Sequence, residues 1–315
     1  MSSRRLTALA LALLLGGPSA ATAAHRDLDR TTRHPVTDGT RLVVDVGRLD
    51  VTLRSGDVRQ VEVSTELRIS GVGEEKAAEW IERHTPEVST DAGRLVVSAR
   101  PGRDGFLGLG LLTARARLKL LAPPGVSPDL TTVNGDILVH GDFPTASPLR
   151  LRTANGQMEM IGATASLDIR TASGDSRIEL IRPAEELFAR TSSGSVSVSG
   201  GARTTHVDTS SGDVWLSNLS GSAEVETATG DVTLRWDRLD PDCTVSVRST
   251  SGRVRLTIPD HVRPQGRLTT TGGTIRSDFP GVVNDAGDAV ELTGDGPTLL
   301  VETASGEIVL TTGEP

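Results

Sequence analysis

DTSSGDVWLSNLSGSAEVETATGDVTL, residues 208–234, contains one phrase twice, and this repetition decides the fold. The phrase is Thr-small-small-Gly-Asp-Val-x-Leu, and its second copy begins 18 residues after its first. Nine copies follow one another along the chain, with their glycines at Gly135, Gly156, Gly174, Gly194, Gly212, Gly230, Gly252, Gly273 and Gly306. The successive spacings are 21, 18, 20, 18, 18, 22, 21 and 33 residues. A repeat of about 20 residues is typical of a solenoid, in which each coil buries its apolar side against its neighbours.

Apolar residues alternate with polar ones on both sides of each glycine. In the Gly212 copy they are Val207, five residues before the glycine, and Val214 and Leu216, two and four residues after it. This period of two, rich in β-branched residues, indicates half-buried strands. The apolar positions lie an even number of residues apart on each side of the glycine, but an odd number apart across it. The chain must therefore take up one extra residue in a corner there. We expect these nine glycines to be structural corner residues that adopt a positive φ.

Three residues before each glycine stands a threonine or serine. These residues are Thr132, Thr153, Thr171, Thr191, Thr209, Thr227, Ser249, Thr270 and Thr303. An outward ladder of hydroxyls would suit ice binding. However, this position points to the same side as the apolar residues, so we expect the hydroxyls to turn inward and to hydrogen-bond to the corner backbone.

The N-terminus has the pattern of a secretory signal peptide. Arg4 and Arg5 precede an apolar run, residues 6–15, and Ala21-Thr22-Ala23 is a small-residue cleavage site. We therefore predict cleavage after Ala23 and export to the periplasm or the extracellular space. The single cysteine, Cys243, is far from the cleavage site, so we expect no lipid anchor and no intrachain disulfide.

The predicted organisation is a signal peptide (1–23), a flexible lead (24–37), an N-terminal β-rich cap region (38–124) and a β-solenoid repeat domain (125–315). The cap region contains one helix candidate, GEEKAAEWIERHTP, which has acidic residues in its first turn and Pro86 as a stop. Residues 55–58, Ser-Gly-Asp-Val, read as a degenerate coil. The last coil should be exposed at one end, where Glu314 and Pro315 would blunt its strand edge. The fold class predicted is all-β: a parallel β-solenoid of about nine coils behind a capping region with one helix.

Several segments in a fixed order resemble the bacterial "putative adhesin" family of β-strand-repeat proteins. They are ARLKLLAPPGVSPDLTTVNGDILV (116–139), the serial TASGD, TSSGD and TATGD corners, SDFP (277–280) and ETASGEIVL (302–310). The resemblance covers roughly residues 40–312. It implies a β-solenoid of unknown molecular function, with no catalytic residues to carry over. No cell-wall sorting signal or autotransporter barrel accompanies these segments.

Composition disfavours several classes of partner. The net charge of −8 at pH 7 opposes attraction to nucleic acid and to anionic membranes. Aromatic residues are 2 % of the chain, which disfavours the stacking platforms of single-strand nucleic-acid binders and of carbohydrate readers. No further apolar run is long enough to span a membrane.

No arrangement of residues indicates catalysis or metal binding. The six histidines are scattered without metal-ligand spacing, and none completes a Ser-His-Asp or Cys-His set. The aspartates that follow several corner glycines resemble calcium-binding loops, but Ser195 and Arg253 occupy the same position in other copies. Turn chemistry explains these aspartates better. We expect no cofactor.

Two features remain on the predicted outer faces. Arg152, Arg170 and Arg190 occupy one position in three successive copies and would stack about 4.8 Å apart. They are either solvated side chains, partly neutralised by neighbours such as Asp168, or a stripe that binds an acidic polymer. Trp215 points outward by parity, as a contact residue or as a side chain lying over its neighbour. The acidic segment 278–297 reads as a surface loop, and whether it binds calcium stays open.

These patterns favour a secreted, non-enzymatic binding or structural scaffold of the cell envelope. The target would be an extended envelope polymer or a surface protein, and stacking of coils end to end would allow self-association. Two alternatives stay open: a β-solenoid enzyme acting on polysaccharides, and an accessory protein of envelope stress signalling.

Overall fold

The computed structural model describes residues 24–99 and 113–313, so the predicted signal peptide and its cleavage site lie outside the described residues. The first elements, in chain order, are β1 (Ala24–Pro35), β2 (Arg41–Val46), β3 (Asp50–Ser55), β4 (Gln60–Val72), α1 (Glu74–His84), β5 (Glu87–Asp91), β6 (Arg94–Ala99) and β7 (Thr113–Ala122). The helix is the predicted one, and it buries Ala77, Trp80 and His84.

In the rest of the chain, strands with apolar residues are separated by short polar turns. They are β8 (Ser127–Thr131), β9 (Ile137–His140), β10 (Leu149–Asn155), β11 (Met158–Gly162), β12 (Ser166–Ser173), β13 (Ser176–Leu180), β14 (Ala184–Ser193), β15 (Val196–Ser199), β16 (Ala202–Ser211), β17 (Val214–Leu219), β18 (Ser222–Thr229), β19 (Val232–Trp236), β20 (Thr244–Ser251), β21 (Val254–Pro259), β22 (Gln265–Thr270), β23 (Ile275–Ser277), β24 (Gly281–Val283), β25 (Ala289–Thr293), β26 (Thr298–Ser305) and β27 (Ile308–Gly313).

The strands form two long sheets around one apolar core. Sheet A has 13 strands in the order β1-β4-β7-β3-β9-β11-β13-β15-β17-β19-β21-β27-β23. Sheet B has 14 strands in the order β24-β25-β22-β26-β20-β18-β16-β14-β12-β10-β8-β2-β6-β5. Within the repeats each coil is one strand of sheet B, a corner and one strand of sheet A, and coils pair in parallel with their neighbours. The predicted all-β parallel solenoid is confirmed.

The inward columns of the repeat build the core. In the Gly212 coil, Val207 and Thr209 of sheet B face Val214 and Leu216 of sheet A, and all four are buried. The same columns supply most of a single cluster of buried apolar residues that runs through both sheets. Alternation of side chains along each strand leaves the residues between these columns on the two outer faces.

A coil with leucine instead of glycine at the corner position stands before the first predicted one. β2 pairs with β8 and β3 pairs with β9, which places Leu49 at the corner beside Gly135. Residues 55–58, interpreted as a degenerate coil, instead fall at the end of β3 and in the turn after it, so that interpretation was wrong. Both sheets continue without a break across residue 124, where the sequence analysis placed the end of the cap region.

At both ends of the solenoid, the order of the strands in the sheets differs from their order along the chain. At one end β2 and β3 lie between the coil of β8 and β9 and the strands β6 and β7. At the other end β26 and β27 lie between the Gly252 coil and the Gly273 coil. The prediction that the last coil is exposed at the end was therefore wrong: the Gly273 coil and the hairpin of β24 and β25 end the stack.

Residues 24–35 are a strand, so the prediction of a flexible lead was wrong for them. β1 pairs antiparallel with β4 along its whole length, from Ala24 beside Val72 to Pro35 beside Gln60. Cross-strand pairs such as Arg33 Nε with Glu62 Oε1, 2.7 Å apart, add to the backbone ladder. The strand is polar on the side away from the core and forms one edge of sheet A, which explains why its sequence resembles a linker.

The nine corner glycines are fixed by the closeness of neighbouring coils. A Cβ built on Gly212 would overlap the carbonyl oxygen of Gly194 and lie 2.6 Å from its carbonyl carbon. An overlap of the same kind, with the corner carbonyl of the adjacent coil, recurs at every one of the nine. The φ of Gly212 is 137°, but Gly135, Gly273 and Gly306 lie outside the positive-φ region. The expected positive φ is therefore wrong for those three, where lack of space alone requires glycine.

The hydroxyl column faces inward, as predicted, and all nine of its residues are buried. Five of the hydroxyls donate to backbone carbonyls; Thr153 Oγ1, for example, lies 3.2 Å from the oxygen of Gly135. Four buried hydroxyls have no partner among the described residues: those of Thr191, Thr209, Ser249 and Thr303. The predicted bond to the corner backbone is therefore wrong for these four.

This difference within one column predicts opposite effects of the same substitution. Thr209→Val removes an unpaired buried hydroxyl and should raise the free energy of unfolding, by about 0.5–1 kcal/mol. Thr153→Val removes a bonded hydroxyl and should lower the free energy of unfolding by about 1 kcal/mol. Urea unfolding of the two variants measures both changes, and a loss of stability in Thr209→Val as large as in Thr153→Val would contradict the assignment.

Candidate functional site

The predicted arginine stripe lies on the outer face of sheet B. β10, β12 and β14 are in register, so Arg152 is opposite Arg170 and Arg170 is opposite Arg190. The three residues therefore follow one another at the strand spacing of a sheet, about 4.8 Å. The column ends at Asp208, which is opposite Arg190 on β16.

Each of these arginines already holds a carboxylate of the same face. Arg152 bridges two acids, with Nη1 3.0 Å from Asp129 Oδ1 and Nη2 3.3 Å from Asp168 Oδ2. Arg170 Nε lies 2.9 Å from Asp168 Oδ1, and Arg190 Nε lies 2.9 Å from Asp208 Oδ2. The stripe is thus a ladder of internal ion pairs, and each of its three guanidinium groups already has an acidic partner.

An aromatic pair in the next outer column fixes two of the arginines further. The rings of Phe188 and His206 are stacked, with centroids 5.0 Å apart and planes 6° apart. The guanidinium carbons of Arg170 and Arg190 lie 5.1 and 5.8 Å from the centroid of the Phe188 ring, within the range of a cation–π contact. Sequence reasoning missed Phe188, although its parity is that of the arginines.

The ion pairs predict that the stripe contributes to stability. Arg152→Gln should lower the free energy of unfolding by about 1–2 kcal/mol, because Asp129 and Asp168 are only 12 % and 16 % exposed and each loses one partner. Arg177→Gln is the matched control, since Arg177 is exposed and has no ion pair among the described residues. It should change the free energy of unfolding by less than about 0.5 kcal/mol. Equal unfolding midpoints for the two variants would show that the Arg152 pairs do not stabilise the fold.

Trp215 lies on the opposite face of the molecule, on the outside of sheet A. Its side chain is 62 % exposed, whereas the other two tryptophans, Trp80 and Trp236, are buried. The parity of the sequence predicted the outward direction. The two interpretations of this position, a contact residue or a side chain lying over its neighbour, stay predictions.

The surroundings of Trp215 are short and polar. Ser197 on β15 and Thr233 on β19 are its direct neighbours across the two adjacent strands. Along its own strand the neighbouring outward residues are Asp213 and Ser217. Serines also occupy the outward positions on either side of Ser197, at Ser195 and Ser199. The indole therefore rises from a flat terrace of hydroxyl groups.

The aspartates after the corner glycines bind the backbone of the next coil. Asp213 Oδ1 accepts from the backbone nitrogen of Asp231 at 2.9 Å, and Asp231 Oδ1 accepts from that of Arg253 at 2.8 Å. Asp175 does the same for Ser195 at 2.8 Å. These bonds support the interpretation of the aspartates as corner residues and explain why they recur beside the glycine.

Residues 148–311 match a protein-family model described as Toastrack DUF4097. This chain belongs to that family. The match spans the coils from β10 to β27 and includes Arg152, Arg170, Arg190 and Trp215.

Solved structures similar to this Toastrack chain include three bacterial proteins. They are a putative adhesin of Parabacteroides distasonis (14 % identity, TM-score 0.46), a putative lipid binding protein of the same species (12 %, 0.44) and a putative adhesin of Bacteroides fragilis (11 %, 0.41). Each alignment covers 91 % of this chain and 97 % of the other. A search of the curated proteins found no match.

Among the described residues of the Toastrack chain, no helix is long and apolar enough to cross a membrane. Nor do three or more histidine, cysteine or acidic side chains gather there as a metal site would require.

Part of the acidic segment 278–297 is the hairpin of β24 and β25. Its turn is held by Asn284, whose Oδ1 accepts from the backbone nitrogens of Asp288 and Ala289 at 3.1 and 3.0 Å.

Cys243 is half-buried and packs against the core, and burial raises the pKa of its thiol. A raised pKa means less thiolate at any pH below it, and the thiolate is the reactive form. Alkylation by iodoacetamide at pH 8 should therefore be at least about threefold slower in the folded protein than in urea-unfolded protein. The difference should narrow as the pH rises, which mass spectrometry can follow; equal rates at pH 8 would contradict the burial argument.

Proposed function

We propose that this Toastrack chain is an exported, non-enzymatic scaffold of the bacterial cell envelope that binds an extended polymer on a flat outer face. The observation that carries the proposal is the register of the outer columns. Ser197, Trp215 and Thr233 follow one another directly across three strands, so the outward side chains of this face lie at the fixed spacing of the strands.

The core makes such a face rigid. The inward side chains of both sheets are buried in one cluster, and the corners are locked by glycines and by bonds from one coil to the next. A rigid, repeating surface loses little conformational entropy when it binds, which favours an extended ligand with repeating units.

Export is supported by the N-terminal pattern of Arg4, Arg5, an apolar run and the site after Ala23. Mass spectrometry of the protein purified from its native host should find an N-terminus at Ala24 or within a few residues of it. An uncleaved chain in the cytoplasmic fraction would contradict the proposal.

Binding is tested with the mature protein, residues 24–315, and isolated envelope polymers from the host. Cosedimentation with the envelope fraction, without release of reducing ends or shorter chains, is the expected result. Failure to cosediment with any envelope fraction would overturn the binding function. Degradation of a polymer would replace it with the polysaccharide-active enzyme.

A further inference from the structure

We propose that Trp215 and the hydroxyl terrace around it (Ser195, Ser197, Ser199, Ser217 and Thr233) form a binding site for a neutral glycan. The inference rests on the proposed scaffold function and adds the class of ligand and the face that takes it. It also moves the binding surface from the arginine stripe of sheet B to the outer face of sheet A.

The first support is the accessibility of the indole. Trp215 is 62 % exposed, and its two cross-strand neighbours, Ser197 and Thr233, have short side chains. Strand spacing places these neighbours about 5 Å from Trp215 on either side, which is close enough to contact a ring stacked on the indole. A flat sugar ring can therefore approach the indole without a steric clash.

The second support is the match of polar groups. A sugar has an apolar face of C–H groups and a rim of hydroxyls, so its receptor needs an aromatic surface surrounded by donors and acceptors. Ser217 Oγ donates to the carbonyl oxygen of Val198 at 3.4 Å and keeps its lone pairs. Asp213 uses Oδ1 for the backbone nitrogen of Asp231, which leaves its second oxygen to accept from a ligand hydroxyl.

The charges near Trp215 favour a neutral ligand. Asp213 precedes it on the same strand, and Asp231 occupies the equivalent position one coil further on; both are exposed. Arg177 and Arg255 lie in the same outward row as Trp215, two strands away on either side. Charges of both signs therefore offset one another around the indole, which leaves no net charge there to attract an anionic polymer. The Arg253 side chain, one coil beyond Asp231, is engaged by Glu307, with Nε 3.0 Å from Oε2.

The same surroundings disfavour a protein or a lipid as the ligand. A protein hot spot usually has a tryptophan in a packed apolar centre, and an acyl chain needs a continuous apolar patch. The residues directly around Trp215 are serines, a threonine and an aspartate. Hydroxyl groups in that arrangement suit hydrogen bonding to a sugar better than either alternative.

The experiment uses the fluorescence of Trp215 in the mature protein. Trp80 and Trp236 are buried, so iodide quenching reports mainly on Trp215. We expect at least one of three neutral polysaccharides (dextran, hydroxyethylcellulose or galactomannan) to protect Trp215 from iodide, and alginate, an acidic polysaccharide, not to protect it. Affinity electrophoresis in gels that contain the same polymers gives the dissociation constants.

Trp215→Ala should weaken retardation by the protecting polysaccharide at least about fivefold, as loss of one stacking contact does. Ile181→Ala is the matched control, because Ile181 is a 61 % exposed apolar residue that directly follows β13, two strands from Trp215 in sheet A. It should bind as the wild type does.

Several results would overturn the site. They are protection by none of the neutral polymers, equal retardation of Trp215→Ala and wild type, or protection by alginate alone. Protection only by an added protein or by lipid vesicles would also overturn it, in favour of that ligand. If Trp215→Ala still cosediments with the envelope as well as wild type does, the scaffold function stands and this site falls; if the wild type does not cosediment, the function itself falls.

Discussion

Replacing Gly212 by alanine should destabilise the protein by about 2–5 kcal/mol, a large effect for the addition of one methyl group. The new Cβ would overlap the carbonyl oxygen of Gly194, and backbone atoms cannot move aside as the end of a flexible side chain does. The φ of 137° adds strain, because residues with a Cβ rarely adopt it. Both effects weaken the packing of the Gly212 coil against the Gly194 coil.

The control is Gly272→Ala, one residue before the Gly273 corner. A Cβ there would lie 3.5 Å from the nearest atom, the carbonyl oxygen of Ala304, which is an ordinary contact. We expect a change of less than about 0.5 kcal/mol. Urea unfolding followed by circular dichroism gives both values. Similar midpoints for the two variants would contradict the explanation of the corner glycines by close approach.

The repeat itself could be predicted because packing dictates it. Every coil must bury residues of both sheets, so the alternation around Gly212 appears again around each glycine. The coil of β2 and β3 escaped the same reasoning because Leu49 stands where the other coils have glycine. The glycine of this corner, Gly47, stands two residues earlier, so the corner does not fit the pattern of the other nine.

The order of the coils could not be predicted, because each coil carries the same local pattern. Val247, Leu268 and Val301 occupy equivalent positions, and any of these coils could pack on any other by that criterion. The structure places Val301 between the other two. The chain therefore forms the coil of Leu268 at the end of the stack before it returns to form the coil of Val301 inside it. Long-range pairing of this kind leaves no mark in a period of about 20 residues.

For the candidate site, parity predicted the outward directions and only one of the acidic partners. Arg152, Arg170 and Trp215 all point outward, as their positions required. Of the acids that pair with the arginines, Asp168 was named from the sequence, whereas Asp129, in the same outer column, was missed although its parity could have found it. What the sequence did not reveal is that each arginine of the stripe is ion-paired once the strands are in register.

The order of the last coils leads to a second large effect. Val301→Asp puts a carboxylate in the core between Val247 and Leu268 and should cost about 4 kcal/mol or more, because the carboxylate has no partner there. Coils of a solenoid contact only their neighbours, so the damage should begin at β26 and β27. β22 pairs with β26 and with β25 of the hairpin, and β23 pairs with β27. Residues 265–313 should therefore lose protection together.

Hydrogen exchange followed by mass spectrometry distinguishes this outcome from its alternatives. In Val301→Asp we expect fast exchange throughout 265–313 and wild-type protection in the coils from Gly135 to Gly230. Val207→Asp, the same substitution in the same column of a central coil, should instead remove protection on both sides of that coil. If the coils stacked in chain order, β22 and β23 would stay on β20 and β21, and only 298–313 would exchange fast. Protection of 265–277 in Val301→Asp would thus contradict the inserted position of the last coil, because among the described residues β22 and β23 pair with no other coil.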